Sequence, residues 1–310
     1  MSTGTLRDFT SNASPVRMPE DQPRRAPDSA ALNVHILLPV HNRIEITREC
    51  LKLLGRQTLA PAQLIVIDDG SNDGTSDMVK AEAPQTIVIR GDGSLWWAGS
   101  LQVGLNFLSR QDVPHDDVVL FLNDDTSFDE YLLEHAARAM ASSSASMLLA
   151  QAYSSRTGKL IEVGVRVDWK DFRFEPVANI EDANCLSTRG LFIRLGDALR
   201  VGGFRPRLLP HYLSDYEFTI RARRKGVRLI TDPAVKLIVN EDATGQRLSD
   251  KRSLRAYLRS VFTKRSVPNP FYWTSFMLLA CPPKYLPLNV YRVWRGFLGE
   301  MIQAIRVHGR

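Results

Sequence analysis

Residues 33–43 read Asn-Val-His-Ile-Leu-Leu-Pro-Val-His-Asn-Arg, a run of apolar residues that ends abruptly in three polar ones. Four more short apolar runs follow, separated by segments with apolar residues at helical spacing: residues 63–67, 86–89, 118–122 and 147–150. Strands that alternate with helices predict βαβ units and a parallel sheet. The runs are continuously apolar, which predicts strands that helices cover on both faces. We therefore expect an α/β fold with a Rossmann-like, mostly parallel sheet.

The remainder of the chain predicts a mixed second half and two terminal segments. Residues 160–177 alternate and favour an antiparallel insertion, and a helix is expected at 214–226. Residues 1–30 contain four prolines and lack the apolar segment of a secretory signal, so we expect a disordered leader on a cytoplasmic protein. This places the main domain at residues 31–250 and a helical C-terminal element at 251–310.

Composition excludes several classes of protein. The chain has 310 residues, of which 44% are apolar and 24% charged, and these proportions are typical of soluble globular proteins. Three cysteines (Cys50, Cys185 and Cys281) without a CxxC spacing argue against a disulfide framework or a zinc cluster. We interpret them as buried or free thiols in a reducing compartment.

The C-terminal element is strongly basic and aromatic. Residues 251–310 carry eleven Lys and Arg residues and one acidic residue, Glu300, and they hold ten of the 26 aromatic residues. The apolar run from Phe271 to Cys281 is too short to span a bilayer. Basic and aromatic residues together favour peripheral attachment to an anionic membrane surface. The alternative interpretation is that these helices pack on the main domain or on a second subunit in a homodimer.

Polar clusters follow three of the predicted strands: His41-Asn42-Arg43, Asp68-Asp69 and Asn123-Asp124-Asp125. The carboxyl ends of parallel strands lie along one edge of the sheet, where ligands of such folds bind. Hard divalent cations take oxygen ligands and often bridge protein carboxylates to substrate phosphates. The pattern therefore predicts a site for a divalent cation and a diphosphate at this edge.

Five motifs, in this order, resemble those of the family 2 glycosyltransferases with the GT-A fold: Pro39-Val-His-Asn-Arg43, Asp68 to Ser71, Gly91 to Gly99, Asn123-Asp124-Asp125, and Asp215 to Gly226. The resemblance covers roughly residues 33–245. The segment from Gly91 to Gly99 is similar to that of rhamnosyltransferase-like members. The resemblance implies a nucleotide-sugar half at about 31–126 and an acceptor half at about 127–250.

The same resemblance implies an inverting transfer from a nucleoside-diphosphate sugar to a hydroxyl of a glycan or lipid-linked acceptor, in cell-surface polysaccharide synthesis. The donor would be a dTDP-rhamnose-like sugar or a UDP-sugar, and Mg or Mn would assist. Asp215 would be the general base, and Asp125 would ligate the metal. The expected nucleotide-sugar site comprises Pro39, Asn42, Arg43, Asp68, Asp69, Trp96, Trp97 and Asp124, and the expected acceptor site comprises His211, Tyr212 and Glu217.

Two departures from the family pattern stand out. Ser214 occupies a position where many relatives carry Glu, and Ser214-x-x-Glu217 predicts a capping box at the start of the helix. Residues 239–242 lack the His that many relatives use as a metal ligand, so either Asn240 or Glu241 ligates weakly or Asp125 acts with phosphate and water. These departures leave open a catalytically weak protein that binds a nucleotide sugar or glycan.

Rival functions fit the sequence less well. A sugar-1-phosphate nucleotidyltransferase needs a Gly-rich loop after the first strand, and residues 40–43 contain no glycine. A nicotinamide dehydrogenase needs G-x-G-x-x-G between strand and helix, which Gly91-x-Gly93 does not continue. The basic tail lacks any known nucleic-acid-binding module, so we expect no nucleic-acid partner.

Overall fold

The structure is a computed structural model that describes residues 32–240, 254–263 and 266–306. The predicted leader at 1–30 lies outside the described residues. The strands are β1 (Val34–Val40), β2 (Gln63–Asp68), β3 (Ile87–Arg90), β4 (Val118–Phe121), β5 (Thr126–Ser127), β6 (Ser146–Ser154), β7 (Leu160–Glu162), β8 (Val165–Asp168), β9 (Arg173–Pro176), β10 (Leu191–Arg194) and β11 (Arg228–Val239). The α-helices are α1 (Ile44–Leu54), α2 (Thr75–Glu82), α3 (Trp96–Leu108), α4 (Leu132–Ala141), α5 (Leu195–Val201), α6 (Ser214–Arg224), α7 (Leu254–Val261), α8 (Pro270–Ala280) and α9 (Leu286–Arg306).

Nine strands form one mixed sheet in the order β3-β2-β1-β4-β10-β6-β11-β5, with β7 paired to β6. The first four strands are parallel, β10 is antiparallel to both β4 and β6, and β6 is parallel to β11. Consequently β6 and β11 run in the same direction as the first four strands, and only β5, β7 and β10 oppose them. The expected α/β fold with a mostly parallel sheet and a mixed second half is confirmed.

Helices cover both faces of the sheet, as the continuously apolar strands predict. Along β1, Ile36 and Leu38 belong to one core cluster, which also contains buried residues of α1, α2 and α4. Leu37 belongs to a second cluster on the opposite face, with residues of α3, α5 and α6. Because successive side chains alternate between faces, both faces of β1 are buried. The three cysteines are free and buried, as expected.

The C-terminal helices add a third cluster. Phe276 and Met277 of α8 are fully buried against the β8–β9 hairpin and α6. Trp169 before the hairpin turn stacks on Phe276 with ring centroids 5.7 Å apart. One side of α8 is therefore part of the interior of the protein. Within the described ranges, no helix is long and apolar enough to cross a membrane.

The approach of α3 to the sheet depends on a glycine without a side chain. A Cβ atom at Gly104 would lie 2.8 Å from both terminal methyl groups of Leu37, which is fully buried. We expect Gly104→Val to lower the free energy of unfolding by about 1–3 kcal/mol, because the added methyls overpack this contact. Urea unfolding followed by circular dichroism measures the change.

Gly296 of α9 is the matched control for that variant. A Cβ atom there would meet no other atom within 4 Å. Gly296→Val should therefore raise the free energy of unfolding by about 0.3 kcal/mol, because valine has a somewhat higher helix propensity than glycine. Equal behaviour of the two variants would contradict the packing account of Gly104.

Candidate active site

The loops that carry the predicted site residues meet at one edge of the sheet. They follow the carboxyl ends of β1, β2, β3 and β4, which are parallel neighbours. The segment before β10 reaches the same edge, because Gly190 donates from its backbone N–H to the carbonyl of Phe121 at the end of β4. The end of β6 lies there as well, and β7 pairs with it through Ala152 and Glu162. Residues from both halves of the chain therefore line this edge.

Arg43 joins the loop after β1 to the two carboxylates after β4. Its Nη1 donates to Asp124 Oδ1 at 2.7 Å, and its Nη2 donates to Asp125 Oδ2 at 3.1 Å. The second oxygen of Asp124 accepts from the hydroxyl of Thr47 at 3.1 Å. Both oxygens of Asp124 are thus engaged inside the protein, whereas Asp125 faces outward more, with 16% of its side chain exposed.

Burial sets the charge balance of this carboxylate pair. Desolvation raises the pKa of Asp124 to about 6, Arg43 opposes that shift, and the neighbouring Asp125 adds to it. A pKa this close to neutrality means that Asp124 is sensitive to any further charge brought to the site. Arg43 therefore stabilises the ionised form of the pair.

The residues around Asp125 suit a divalent cation with few protein ligands. Among the described residues, no group of three or more His, Cys, Asp and Glu side chains is arranged to hold a metal ion. The amide oxygen of Asn123 is, however, buried without a hydrogen-bond partner. Asn123 and Asp125 thus offer hard oxygen donors, the kind that Mg²⁺ and Mn²⁺ prefer when phosphates and water supply the rest.

β11 brings a third oxygen-bearing residue to the same place. It pairs with β5 in antiparallel register, with Val239 opposite Thr126. Asn240 directly follows Val239 and Asp125 directly precedes Thr126, so both residues lie at the same end of this pairing. Glu241, the other expected ligand in this segment, lies outside the described residues.

Asp68 and Asp69 are both committed to the loops around them. Asp68 is fully buried and accepts hydrogen bonds from the backbone N–H of Ser71 and the hydroxyl of Ser76, which fastens the β2–α2 loop. Asp69 accepts three backbone N–H groups of the Gly-rich segment, from residues 93, 95 and 96, at 2.8–3.1 Å. These carboxylates shape the edge of the sheet and leave few lone pairs toward a nucleotide.

Gly70 allows the loops after β2 and β3 to touch. Its backbone has a φ of +73°, and a Cβ atom there would lie 2.6 Å from the nitrogen of Gly93. His41 Nδ1 lies 2.6 Å from the carbonyl oxygen of Asp69, and Asn42 bonds to the same loop through Ser71 and Asn72. Three loops are therefore joined by the close approach of Gly70 to Gly93 and by hydrogen bonds between side chains and backbone. Pro39 lies below them within β1, opposite Ile67 of β2.

Trp96 and Trp97 open helix α3 and connect the two halves of the site. Trp97 donates from its indole N–H to the hydroxyl of Thr188 at 2.9 Å and packs on the core. Trp96 has a φ of +59°, and its ring meets the edge of His211 with centroids 6.1 Å apart. His211 in turn contacts the ring of Tyr212 at 4.5 Å. The structure thus brings Trp96 together with both aromatic residues expected near the acceptor.

The predicted capping box at the start of α6 is wrong. Leu213, with a φ of +68°, occupies the cap position, and Ser214 donates to the carbonyl of His211 at 2.5 Å instead of capping the helix. Glu217 is turned inward, almost fully buried, and receives two hydrogen bonds of 2.8 Å from Arg221. With Leu213 in the cap position, the helix begins at Ser214 itself, one residue earlier than the capping box requires, and Glu217 pairs with a cation rather than with a backbone N–H.

The run of basic residues on α6 predicts a solvated helix face, and this prediction is wrong for Arg221. Its guanidinium is largely buried and also donates to the carbonyls of Val201 and Gly203. The remaining members of the run are exposed: Arg223, Arg224 and Lys225. The buried ion pair therefore holds α6 to the turn after α5, and it draws Glu217 away from any acceptor.

Asp215 is half-buried at the first turn of α6 and faces a polar group that sequence reasoning missed. Its Oδ1 accepts the backbone N–H of Tyr216 at 2.9 Å. Desolvation raises the pKa of Asp215 to about 6; the negative charge of Glu162 adds to the shift, and the positive charge of Arg189 opposes it. Burial likewise raises the pKa of Glu162. Asp215, Glu162 and Arg189 thus form an electrostatically coupled cluster, which we call the carboxylate cluster.

No sequence signal identifies Glu162 or Arg189. Glu162 ends a short alternating strand, and Arg189 precedes the antiparallel β10 that inserts between β4 and β6. Only the pairing of these strands brings the two residues to the helix that carries Asp215.

Comparison with known proteins identifies the fold. The sequence model described as "Glycosyl transferase family 2" matches residues 35–188. No curated protein sequence matches the chain. Three similar solved structures are GalNAc-T7 with UDP, GalNAc and Mn2+ (14% identity, TM-score 0.57, 84% of this chain and 55% of that one), the mannosyltransferase PcManGT from Pyrobaculum calidifontis with GDP-Man and Mn2+ (16%, 0.55, 91% and 77%), and S. aureus TarS 1-349 with UDP-GlcNAc (16%, 0.57, 90% and 75%). The chain spans about half of the first structure's length. The GT-A fold is confirmed.

Asp215 and Glu217 should separate cleanly in stability. Glu217→Gln leaves the guanidinium of Arg221 without its carboxylate, so we expect the free energy of unfolding to fall by about 1.5–3 kcal/mol. Asp215→Asn replaces a carboxyl that burial already disfavours in its charged form, so the change should stay within about 0.5 kcal/mol. Urea unfolding at pH 7 measures both values. An Asp215→Asn protein less stable than Glu217→Gln would show that the roles are reversed.

Proposed function

We propose, from the family 2 glycosyltransferase domain that this chain contains, that it transfers a sugar from a nucleoside-diphosphate sugar to a hydroxyl group with inversion at the anomeric carbon. The observation that carries the proposal is that two groups occur at one edge of the sheet. The first is Asp125 with the unpartnered amide oxygen of Asn123, and the second is Asp215, whose pKa is raised to about 6. Asp125 and Asn123 suit the leaving diphosphate, and Asp215 suits the acceptor hydroxyl. The similar structures hold UDP, GDP-Man or UDP-GlcNAc, which supports a nucleotide-sugar donor.

The donor side would use the loops after β1, β3 and β4. Asp125, with the side-chain oxygens of Asn123 and Asn240, would hold a divalent cation such as Mg²⁺ or Mn²⁺. When bound, that cation would neutralise charge on the departing nucleoside diphosphate. Arg43 stands between Asp124 and Asp125, where a guanidinium can exchange a carboxylate for a phosphate oxygen. Trp96 offers an aromatic ring to the donor or acceptor sugar.

The acceptor side would use the carboxylate cluster. Asp215 would accept the proton of the acceptor hydroxyl as its oxygen attacks the anomeric carbon, and the bond from that carbon to the diphosphate oxygen breaks. A base works best when its pKa is near the working pH, and burial together with Glu162 moves Asp215 in that direction. His211 and Tyr212 precede this residue and would contact the acceptor. The buried Glu217 would stabilise helix α6 through Arg221 instead of contacting the acceptor.

We propose the same classes of acceptor and donor that the sequence resemblance implies. A glycan or lipid-linked acceptor, and a role in cell-surface polysaccharide synthesis, fit an enzyme with a basic aromatic tail. A dTDP-rhamnose-like donor is favoured by the segment from Gly91 to Gly99, and a UDP-sugar is the other candidate. The second candidate function, binding of a nucleotide sugar or glycan without efficient turnover, is favoured by Ser214 and by the absence of a His in the sequence of residues 239–242.

The donor site is tested by removing the exposed carboxylate. Asp125→Ala should abolish the metal-dependent part of nucleotide-sugar binding, because the cation loses its charged protein ligand. Isothermal titration with UDP- and dTDP-sugars, with Mn²⁺ and with chelator, measures it. Glu130→Ala, an exposed acid a few residues away, is the control and should bind normally. Unchanged affinity in Asp125→Ala would refute the assignment.

The base is tested by the pH dependence of turnover. Because Asp215 must be ionised to accept a proton, turnover should fall as the pH drops through about 6. Asp215→Asn should lose at least about 10²-fold in turnover, which is the lower range for a positioned base. Since the pKa of Asp124 is also about 6, donor affinity must be followed over the same pH range to separate the two groups. Normal turnover by Asp215→Asn would overturn the assignment, and donor binding without turnover by the wild type would favour the second candidate.

A further inference from the structure

Helix α9 turns an apolar stripe outward. Its exposed large apolar residues recur every three to seven positions and lie on the same side of the helix as Arg295. We call this side the α9 face, and it consists of Leu288, Tyr291, Arg295, Leu298, Ile302 and Ile305. The apolar members are 46–62% exposed. Residues at this spacing line one side of an α-helix. Soluble proteins usually bury such a stripe, whereas here about half of each apolar side chain is exposed.

The opposite side of α9 is already occupied. Asn289 is fully buried and donates to the carbonyl of Trp169 at 2.8 Å. Ala304 is fully buried near the other end, in a cluster with Val261 of α7. The helix is therefore held by the segment around Trp169 near its start and by α7 near its end, and these contacts turn the α9 face toward the outside.

Helix α8 extends the same exposed character. Phe271 and Leu278 are 56% and 66% exposed, although Phe276 and Met277 on the other side are buried. The ring of Phe271 meets that of Trp294 at 5.5 Å, which joins α8 to α9. The two helices together present one large apolar surface, larger than isolated apolar side chains on a soluble surface account for.

Charge distinguishes between a second copy of the chain and a lipid surface as the partner of this apolar surface. Residues 251–310 carry a net charge of +10, with Glu300 as the one acidic residue. A second copy of the chain would bring the same positive charge against it, and like charges across an interface oppose association. An anionic lipid surface supplies the opposite charge together with an apolar layer. Exposed Arg295 and Lys284 lie where they can reach headgroups.

We infer that the α9 face docks the protein, lying flat, on an anionic lipid bilayer. The apolar side chains enter the boundary between headgroups and acyl chains, Tyr291 sits at headgroup level, and the basic residues contact lipid phosphates. This attachment depends on amphipathic burial and not on a spanning helix.

The docking surface is linked to the proposed acceptor side, and this extension rests on the proposed function. Helix α8 packs against α6, which carries Asp215. Phe174 stacks on Tyr216, the neighbour of Asp215, and also contacts Phe276 of α8. Asp215 is therefore separated from helix α8 by only one layer of side chains. This short distance suits an acceptor hydroxyl on a lipid-linked glycan.

Sedimentation of the full chain with vesicles tests the inference. We use phosphatidylcholine vesicles and vesicles in which part of that lipid is replaced by phosphatidylglycerol. The wild type should bind the anionic vesicles and be released by salt. Ile302→Asp should lower partitioning roughly tenfold or more, because it removes an aliphatic side chain that the bilayer buries and adds a negative charge. Arg295→Gln should lower it about fivefold.

Ile46→Asp is the matched control. Ile46 is also an exposed helical isoleucine, 39% exposed, but it lies on α1 in the main domain. Its substitution should leave vesicle binding unchanged. Equal loss in Ile46→Asp and Ile302→Asp, or a wild type that stays in the supernatant with anionic vesicles, would overturn the inference. A wild type that ignores vesicles and forms a dimer that Ile302→Asp dissociates would assign the face to a second copy instead.

Donor binding in the absence of lipid keeps this test separate from the proposed function. A chain that binds vesicles but no nucleotide sugar would retain the docking inference and lose the glycosyltransferase proposal. A chain that binds nucleotide sugar but no vesicles would do the reverse.

Discussion

The carboxylate of Asp69 holds together the part of the structure on which the candidate site depends. It accepts hydrogen bonds from the backbone N–H groups of residues 93, 95 and 96, so one side chain fixes both the Gly-rich loop and the first turn of α3. A carboxylate at a helix start satisfies donors that would otherwise lack partners and interacts favourably with the helix dipole. That turn places Trp96 against His211, directly before helix α6. The donor loops and the helix of the proposed base are thus connected through a few short contacts.

Two carboxyl groups with raised pKa values lie on either side of this connection. Asp124 is buried beside Arg43 and Thr47, and Asp215 lies in the carboxylate cluster with Glu162 and Arg189. In each place, desolvation favours the neutral acid and an arginine favours the carboxylate. This balance keeps the pKa of both groups close to neutral pH, so the arrival of a phosphate, a cation or a hydroxyl can change their protonation.

The C-terminal helices combine two interpretations that the sequence set apart. One side of α8 and α9 packs on the β8–β9 hairpin and α6, as a structural element would. The other side is apolar, exposed and basic, as an interfacial element would be. Composition alone cannot distinguish the two sides of a helix whose apolar residues surround it. The aromatic-rich sequence of this element serves both packing and exposure.

The sequence by itself determined the parallel core of the sheet and the edge at which the candidate site lies. Continuously apolar runs require burial on both faces, and the polar residues that end them must then lie at the carboxyl edge, so local pattern suffices to place residues 41–43, 68–69 and 123–125 there. The tertiary structure alone decided which of these carboxylates face outward. Asp68 turns into its own loop and Asp69 turns toward the loop after β3, because backbone N–H groups there need acceptors. Asp125 instead keeps part of its side chain exposed. Only the insertion of β10 brings Arg189 and Glu162 to Asp215, because strand pairing between distant segments is not encoded in local periodicity. The left-handed residue Leu213 likewise replaced a capping pattern that the local sequence favours. Arg221, the partner of Glu217, also donates to the carbonyls of Val201 and Gly203, and these contacts join segments that the local sequence does not connect.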